Sequence, residues 1–187
     1  MHRLFVAVSL PEIVADALTQ LQSGLNGARW LPEENFHLTL AFVGEVDRHG
    51  LNEIASALDA ISAPRFDLRL TGCDFFGDRK PRAAWVGAAP NPPLSHLQSK
   101  VGVALSRAGF TLEKRKFVPH VTLGYLAGVT QDAAAAWCAS HGLFSVGPFP
   151  VAEFHLYESR LGGDSAHYEI IESYALGAPA EAGLPVG

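Results

Sequence analysis

Two short stretches carry side chains able to do chemistry together: His37-Leu38-Thr39-Leu40 and His120-Val121-Thr122-Leu123. Imidazole titrates near neutral pH, so a facing pair can hold one neutral ring as general base and one protonated ring as general acid. That division suits in-line displacement at phosphorus. The base takes a proton from the attacking water, the acid returns one to the departing oxygen, and hydroxyl donors steady the equatorial oxygens. A cyclic phosphodiester fits this scheme, because ring opening releases a tethered alkoxide that needs a proton. The competing reading is structural, a histidine and a threonine bonding their neighbours for packing alone. A single motif would favour packing; the presence of two favours catalysis.

Strands must position these groups. Each motif lies in an alternating apolar run, Phe36 to Val43 and Val118 to Leu126, the pattern of a half-buried β-strand. Side chains at i and i+2 share a face, so each histidine projects beside its threonine while Leu38, Leu40, Val121 and Leu123 turn to a core. A strand over Arg3–Ser9 precedes a helix opened by Pro11-Glu12, with Val14, Ala17, Leu18, Leu21 and Leu25 inward. After the first motif, Asp47 caps a helix burying Leu51, Ile54, Leu58 and Ile61, and a strand runs from Phe66 to Phe76. The same order then recurs beyond the loop Gly77–Pro81: strand Ala83–Gly87, a helix from Pro92-Pro93 with Leu94, Leu97, Val101 and Leu105 inward, and the second motif strand. Thr130 caps a helix Gln131–Ser140 whose Ala133, Ala136 and Trp137 face inward. Strands Pro150–Ser159 and His167–Leu176 close the chain around Gly162-Gly163-Asp164. The expected fold is α+β: one domain, 1–176, internally duplicated into halves of about 1–77 and 82–176, with a mobile tail over 177–187. A pseudo-two-fold axis relating the halves would turn the two motif faces toward one cleft.

Composition bounds the rest. With 187 residues, 48% of them hydrophobic and 18% charged, the chain can bury a core without disulfides. Cys73 and Cys138 have no Cys-x-x-Cys or ligand spacing and read as reduced thiols; neither metal nor cofactor is indicated. The apolar run Leu4–Leu10 is too short to span a bilayer and no cleavage site follows it, so a cytoplasmic monomer without a membrane partner is expected. A net charge of −5 argues against binding duplex DNA. One terminal phosphate needs only local cations.

Asn35-Phe36-His37-Leu-Thr-Leu, its continuation Ala41-Phe42-Val43-Gly44-Glu45-Val46, and Phe117-Val-Pro119-His120-Val-Thr-Leu resemble the signature motifs of the two-histidine phosphoesterase superfamily. The opening Arg3-Leu-Phe-Val-Ala-Val-Ser-Leu-Pro11, the Pro81-Arg82-Ala-Ala-Trp85-Val-Gly87 strand and Phe154-His-Leu-Tyr-Glu-Ser159 are similar to patterns of its RNA 2′,3′-cyclic phosphodiesterase family, whose members are also described as bacterial 2′-5′ RNA ligase-like. The resemblance implies a bilobal fold with two antiparallel sheets lining a cleft and helices outside. It also implies hydrolysis of 2′,3′-cyclic phosphate at RNA 3′ ends, or on small nucleotides, to a 2′-phosphate. His37 would be the proton donor, His120 the proton acceptor, and Thr39 and Thr122 the phosphate donors. The reverse reaction would join a 2′-5′ linkage.

The chain departs from the family where an arginine commonly follows the second motif: here stands Tyr125, at an odd offset from His120, which a regular strand would turn away from the cleft unless a bulge at Gly124 re-aims it. Substitute cations are sought in Arg82 and in Lys114-Arg115-Lys116. The family's second aromatic in the first strand is Val6 here, leaving Phe117, Trp30 or Phe36 to stack a base, with core packing the simpler role for each. His2, His49, His96, His141 and His167 are expected at solvated edges, and His155 either borders the cleft or serves no role. The alternative function is a non-catalytic binder of terminal phosphates, with Tyr125 its sequence hint.

Overall fold

A computed structural model describes residues 1–113, 115–162 and 165–178; Lys114, the Gly163-Asp164 turn and tail residues 179–187 lie outside the described residues. In chain order the elements are β1 (His2–Ser9), α1 (Glu12–Thr19), β2 (Arg29–Trp30), a 3₁₀ turn (Glu33–Asn35), β3 (His37–Val46), α2 (Arg48–Asp59), β4 (Phe66–Phe76) and β5 (Ala83–Ala88). Then follow α3 (Pro92–Arg107), β6 (His120–Tyr125), α4 (Gln131–Ser140), β7 (Ser145–Val151), β8 (Glu153–Gly162) and β9 (Ser165–Ala175). The helix starts follow their caps. Asp47 accepts from the Gly50 N–H at 2.8 Å, Asn91 from Leu94 N–H at 2.9 Å and Thr130 from Ala133 N–H at 3.3 Å. Ile54, Leu58, Leu94, Leu97, Val101 and Leu105 then fall on inward stripes and are buried.

All the strand pairs are antiparallel, and the strands join in the order β7-β4-β5-β6-β3-β1-β8-β9, with β2 attached to β6. The α+β, two-lobed architecture is as expected, but the two sheets are continuous at their junction. Each lobe also draws on both halves of the sequence: β4 pairs with β5 and β7, while β8 returns to pair with β1. The exchange carries the chain from one lobe to the other more than once.

Two boundaries and one buried face differ from the sequence pattern. α1 stops at Thr19, because the Leu21 and Ser23 carbonyls accept the Trp137 indole N–H at 3.3 and 3.0 Å; Leu21 and Leu25 are buried in the following turns instead. In α4 it is Ala134, one turn before Trp137, that packs inward, while Ala133 and Ala136 are exposed. The run Pro150–Ser159 is the end of β7 and the start of β8, separated at Ala152. Pro148 and Pro150 mask β7 in the sequence, yet they are tolerated because β7 is an edge strand.

Candidate active site

β3 and β6 meet at one residue pair, Leu38 opposite Val121, and both side chains are fully buried. An antiparallel crossing at this point sets His37 across from Thr122 and Thr39 across from His120, all four on the face opposite the two apolar residues. The local two-fold axis passes through the crossing. Beyond it the strands splay, and β2 takes the free edge of β6, with Trp30 opposite Gly124. A Cβ on Gly124 would lie 2.7 Å from the Trp30 ring and 2.9 Å from the Arg29 carbonyl, so only glycine admits this approach.

The splayed strands bound a cavity of about 550 Å³, the size of a small-ligand site, lined by His37, Thr39, His120 and Thr122 together with residues of β1 and β9. Each histidine is held in the same way. His37 Nδ1–H donates to the Asn35 carbonyl at 2.8 Å and His120 Nδ1–H to the Val118 carbonyl at 2.6 Å. A carbonyl only accepts, so Nδ1 carries the proton and Nε2 keeps its lone pair for chemistry. Asn35 is itself buried and its amide donates to the Ala166 carbonyl at 2.9 Å, which fixes the loop that orients His37.

Their surroundings differ. His37 sits among Phe5, Tyr157 and Tyr168, with ring centroids 4.7, 5.9 and 5.2 Å away. His120 faces Phe76 and Trp85 at 4.8 and 5.6 Å. Burial pushes the His37 imidazole down to about 4, and the neighbouring His120 pushes the same way. Burial lowers His120 as well. Trp85 adds an indole Nε1 that is buried without a hydrogen-bond partner among the described residues.

Two bulges aim further groups into the cavity. The β1–β3 register jumps from Ala7–Thr39 to Val6–Ala41, and the β5–β6 register jumps from Trp85–Thr122 to Ala84–Gly124. Leu40 and Leu123 are the extra residues, and both are buried. Each resets the strand's parity, so Phe42 and Tyr125, both five residues past their histidine, line the cavity. Tyr125 is therefore turned inward, with the Arg29 guanidinium 5.3 Å from its ring centre. Phe42 is 63% exposed, an open aromatic face that the sequence reading passed over.

Other expected contacts lie elsewhere. Arg82 is exposed beside Gly77 and does not line the cavity. Arg115 pairs with Glu113 at 2.8 Å. Phe117 packs against the main core, Phe36 is buried, and Trp30 rests 5.9 Å from Trp137. His155 is 2% exposed, bonded to Ser9 and Ser173 Oγ at 3.0 and 2.8 Å, outside the cavity. His2 is not a free edge residue, since its Nδ1 meets Glu158 at 2.7 Å. Signals for Asn35, Phe42 and Tyr168 were weak because each acts through a loop, a bulge or a distant strand.

The model of LigT-like phosphoesterases matches the chain twice, at residues 8–85 and 86–167, one match for each motif strand. The chain belongs to this family. Within it, an RNA 2′,3′-cyclic phosphodiesterase of Archaeoglobus fulgidus is 32% identical over 85% of this chain and 92% of its own length. One of Geobacillus stearothermophilus is 32% identical over 94% of this chain, which spans 58% of that relative's length. The family's Escherichia coli LigT, in a crystal structure complexed with 3′-AMP, superposes with a TM-score of 0.76 at 26% identity, covering 94% of this chain and 98% of that one.

Proposed function

We propose that this phosphoesterase opens 2′,3′-cyclic phosphate at RNA 3′ ends to leave a 2′-phosphate. The observation that carries the reading is the crossing at Leu38–Val121, which sets two Nε2 lone pairs and two threonine hydroxyls around one cavity. Relatives named RNA 2′,3′-cyclic phosphodiesterase at about 30% identity support the same activity. His120 serves as the base that takes the water's proton, His37 as the acid that protonates the departing 3′ oxygen, and Thr39 and Thr122 donate to the phosphate oxygens. The division follows the family resemblance; burial among aromatic rings keeps His37 neutral in the empty site, so as the acid it must gain its proton when substrate binds. With His37 held near 4, both rings are neutral at pH 7 in the empty site. The bound phosphodiester supplies the missing counter-charge, so a proton is taken up on binding. Phe42 offers its exposed ring to the terminal base.

The substrate reading extends to small nucleotides with the same cyclic end, and by microscopic reversibility to 2′-5′ joining. We assign the protein to the cytoplasm as a monomer that does not bind duplex DNA; among the described residues no helix is long and apolar enough to cross a membrane. The test is a chelator-containing assay on a short RNA ending in 2′,3′-cyclic phosphate that resolves 2′- from 3′-phosphate. Conversion to the 2′-phosphate, lost in His37→Ala and His120→Ala, is expected. Tight binding of the cyclic end with no product from the folded wild type would overturn catalysis and leave a binder of terminal phosphates.

A further inference from the structure

A site for an anion needs a lasting positive charge, and among the described residues the expected sources do not line the cavity: Tyr125 replaces the family arginine, and Arg82, Arg115 and Lys116 lie outside the lining. Among the described residues that do line it, the acidic and basic side chains other than the two histidines and the tyrosines are Arg3 and Glu113, and Glu113 is already met by Arg115 at 2.8 Å. Arg3 is exposed on β1 and makes no ion pair among the described residues, not even with Glu45, its cross-strand neighbour. Its charge is felt at the Tyr168 hydroxyl, on the ring that stands edge-on to His37.

The position of Arg3 along the strand says which phosphate it meets. Ala7 lies opposite Thr39, and Arg3 is four residues further along β1, roughly 13 Å at about 3.3 Å per residue. Phe5, between them, is paired with Phe42. The cavity therefore runs from the histidine-threonine crossing, past the exposed ring of Phe42, to the Arg3 guanidinium. A nucleotide laid along it with its cyclic phosphate at the crossing and its base on Phe42 sends its 5′ phosphate toward Arg3. We propose that Arg3 forms a second anion subsite that binds the phosphodiester one nucleotide 5′ of the cyclic end, making the enzyme prefer an RNA chain over a mononucleotide. This inference rests on the cyclic-phosphate reading above.

The test uses oligoribonucleotides ending in 2′,3′-cyclic phosphate whose last internucleotide linkage is either an ordinary phosphodiester or a neutral methylphosphonate, with wild type, Arg3→Ala and Arg3→Lys. Wild type is expected to lose about tenfold in kcat/KM on the neutral linkage, the scale of one hydrogen bond to a charged group. Arg3→Ala should show that loss on the ordinary linkage and no further loss on the neutral one. Its plot of log kcat/KM against log salt should flatten by about 0.7, one phosphate contact on a single strand, and Arg3→Lys should restore that slope. Equal discrimination by wild type and Arg3→Ala, or an unchanged salt slope, overturns the subsite. Should wild type open no cyclic phosphate, the activity reading fails alone. The same comparison made on equilibrium binding of oligoribonucleotides ending in 2′-phosphate then still decides the role of Arg3.

Discussion

The two lobes present the same histidine-threonine pair on different ground. In both, a histidine bonds the carbonyl two residues before it, a threonine follows on the same face, and a buried leucine bulge turns an aromatic residue into the cavity. Yet His37 lies in a nest of Phe5, Tyr157 and Tyr168, and His120 against Phe76 and Trp85. Backbone hydrogen bonds copied by the duplication hold both rings in one tautomer, while the unlike surroundings set unlike acid strengths. On the reading proposed above, one fold repeated supplies both an acid and a base.

The largest effect expected tests that division directly. Either His37→Ala or His120→Ala should lower turnover of cyclic phosphate by roughly 10²-fold or more. On an aryl phosphodiester, whose phenolate leaves without a proton, His37→Ala should recover most of its rate and His120→Ala should not. Steady-state kinetics on the two substrates checks this, and equal recovery in both variants would erase the distinction between the lobes.

A second difference between the lobes is structural. Gly124 on β6 occupies the bulge position that Ala41 holds on β3, because β2 packs along β6 alone. Gly124→Ala should cost about 1–3 kcal/mol by overpacking against Trp30 and the Arg29 carbonyl, read as a lowered urea midpoint with unchanged m. Ala41→Gly should cost less. Of the two re-aimed aromatics, Phe42 is the more open, so Phe42→Ala should raise KM for a cyclic-phosphate end about tenfold through lost base stacking. Tyr125→Phe should change it less, since the ring and its contact with Arg29 remain.

The smallest effect concerns pH. His37 is near 4 when folded against an ordinary 6.5, so the folded state binds fewer protons than the unfolded chain between those values. Its contribution to stability is present above pH 6.5 and is lost as pH falls toward 4. His120 and His155, both lowered by burial, act in the same direction. Thermal melts between pH 7 and 4 should show falling Tm, and His37→Asn should flatten that slope more than His120→Asn.

Much of this molecule is legible in its residues, and what is not legible has identifiable causes. The spacing of two in His-x-Thr read correctly as a shared strand face, and Asp47, Pro92-Pro93 and Thr130 mark helix starts because helix initiation is local chemistry. Counting positions from His120 turned Tyr125 outward unless a bulge at Gly124 re-aimed it, as the shifted β5–β6 register does, while Phe42 went unremarked, since parity holds only while pairing is regular. The bulges at Leu40 and Leu123 are visible only in the register with β1 and β5, strands more than thirty residues away in sequence. β7 begins at Ser145, ahead of the strand expected from Pro150, and the sheet order shows why its two prolines are admitted: the strand lies at an edge. Arg82 seemed the natural spare cation because it sits in a family-like segment, but the cavity is lined by Arg3 from the other lobe.

The sequence by itself determined the duplicated pair of histidine-threonine strands, the helices that cover them and the family to which they point, because period, caps and motif spacing are written in near neighbours. Tertiary structure decided which strands each lobe exchanges, which side chains the bulges re-aim, and how far each imidazole is moved from its ordinary acidity. Those outcomes depend on register and desolvation, and both are set by partners that lie far along the chain.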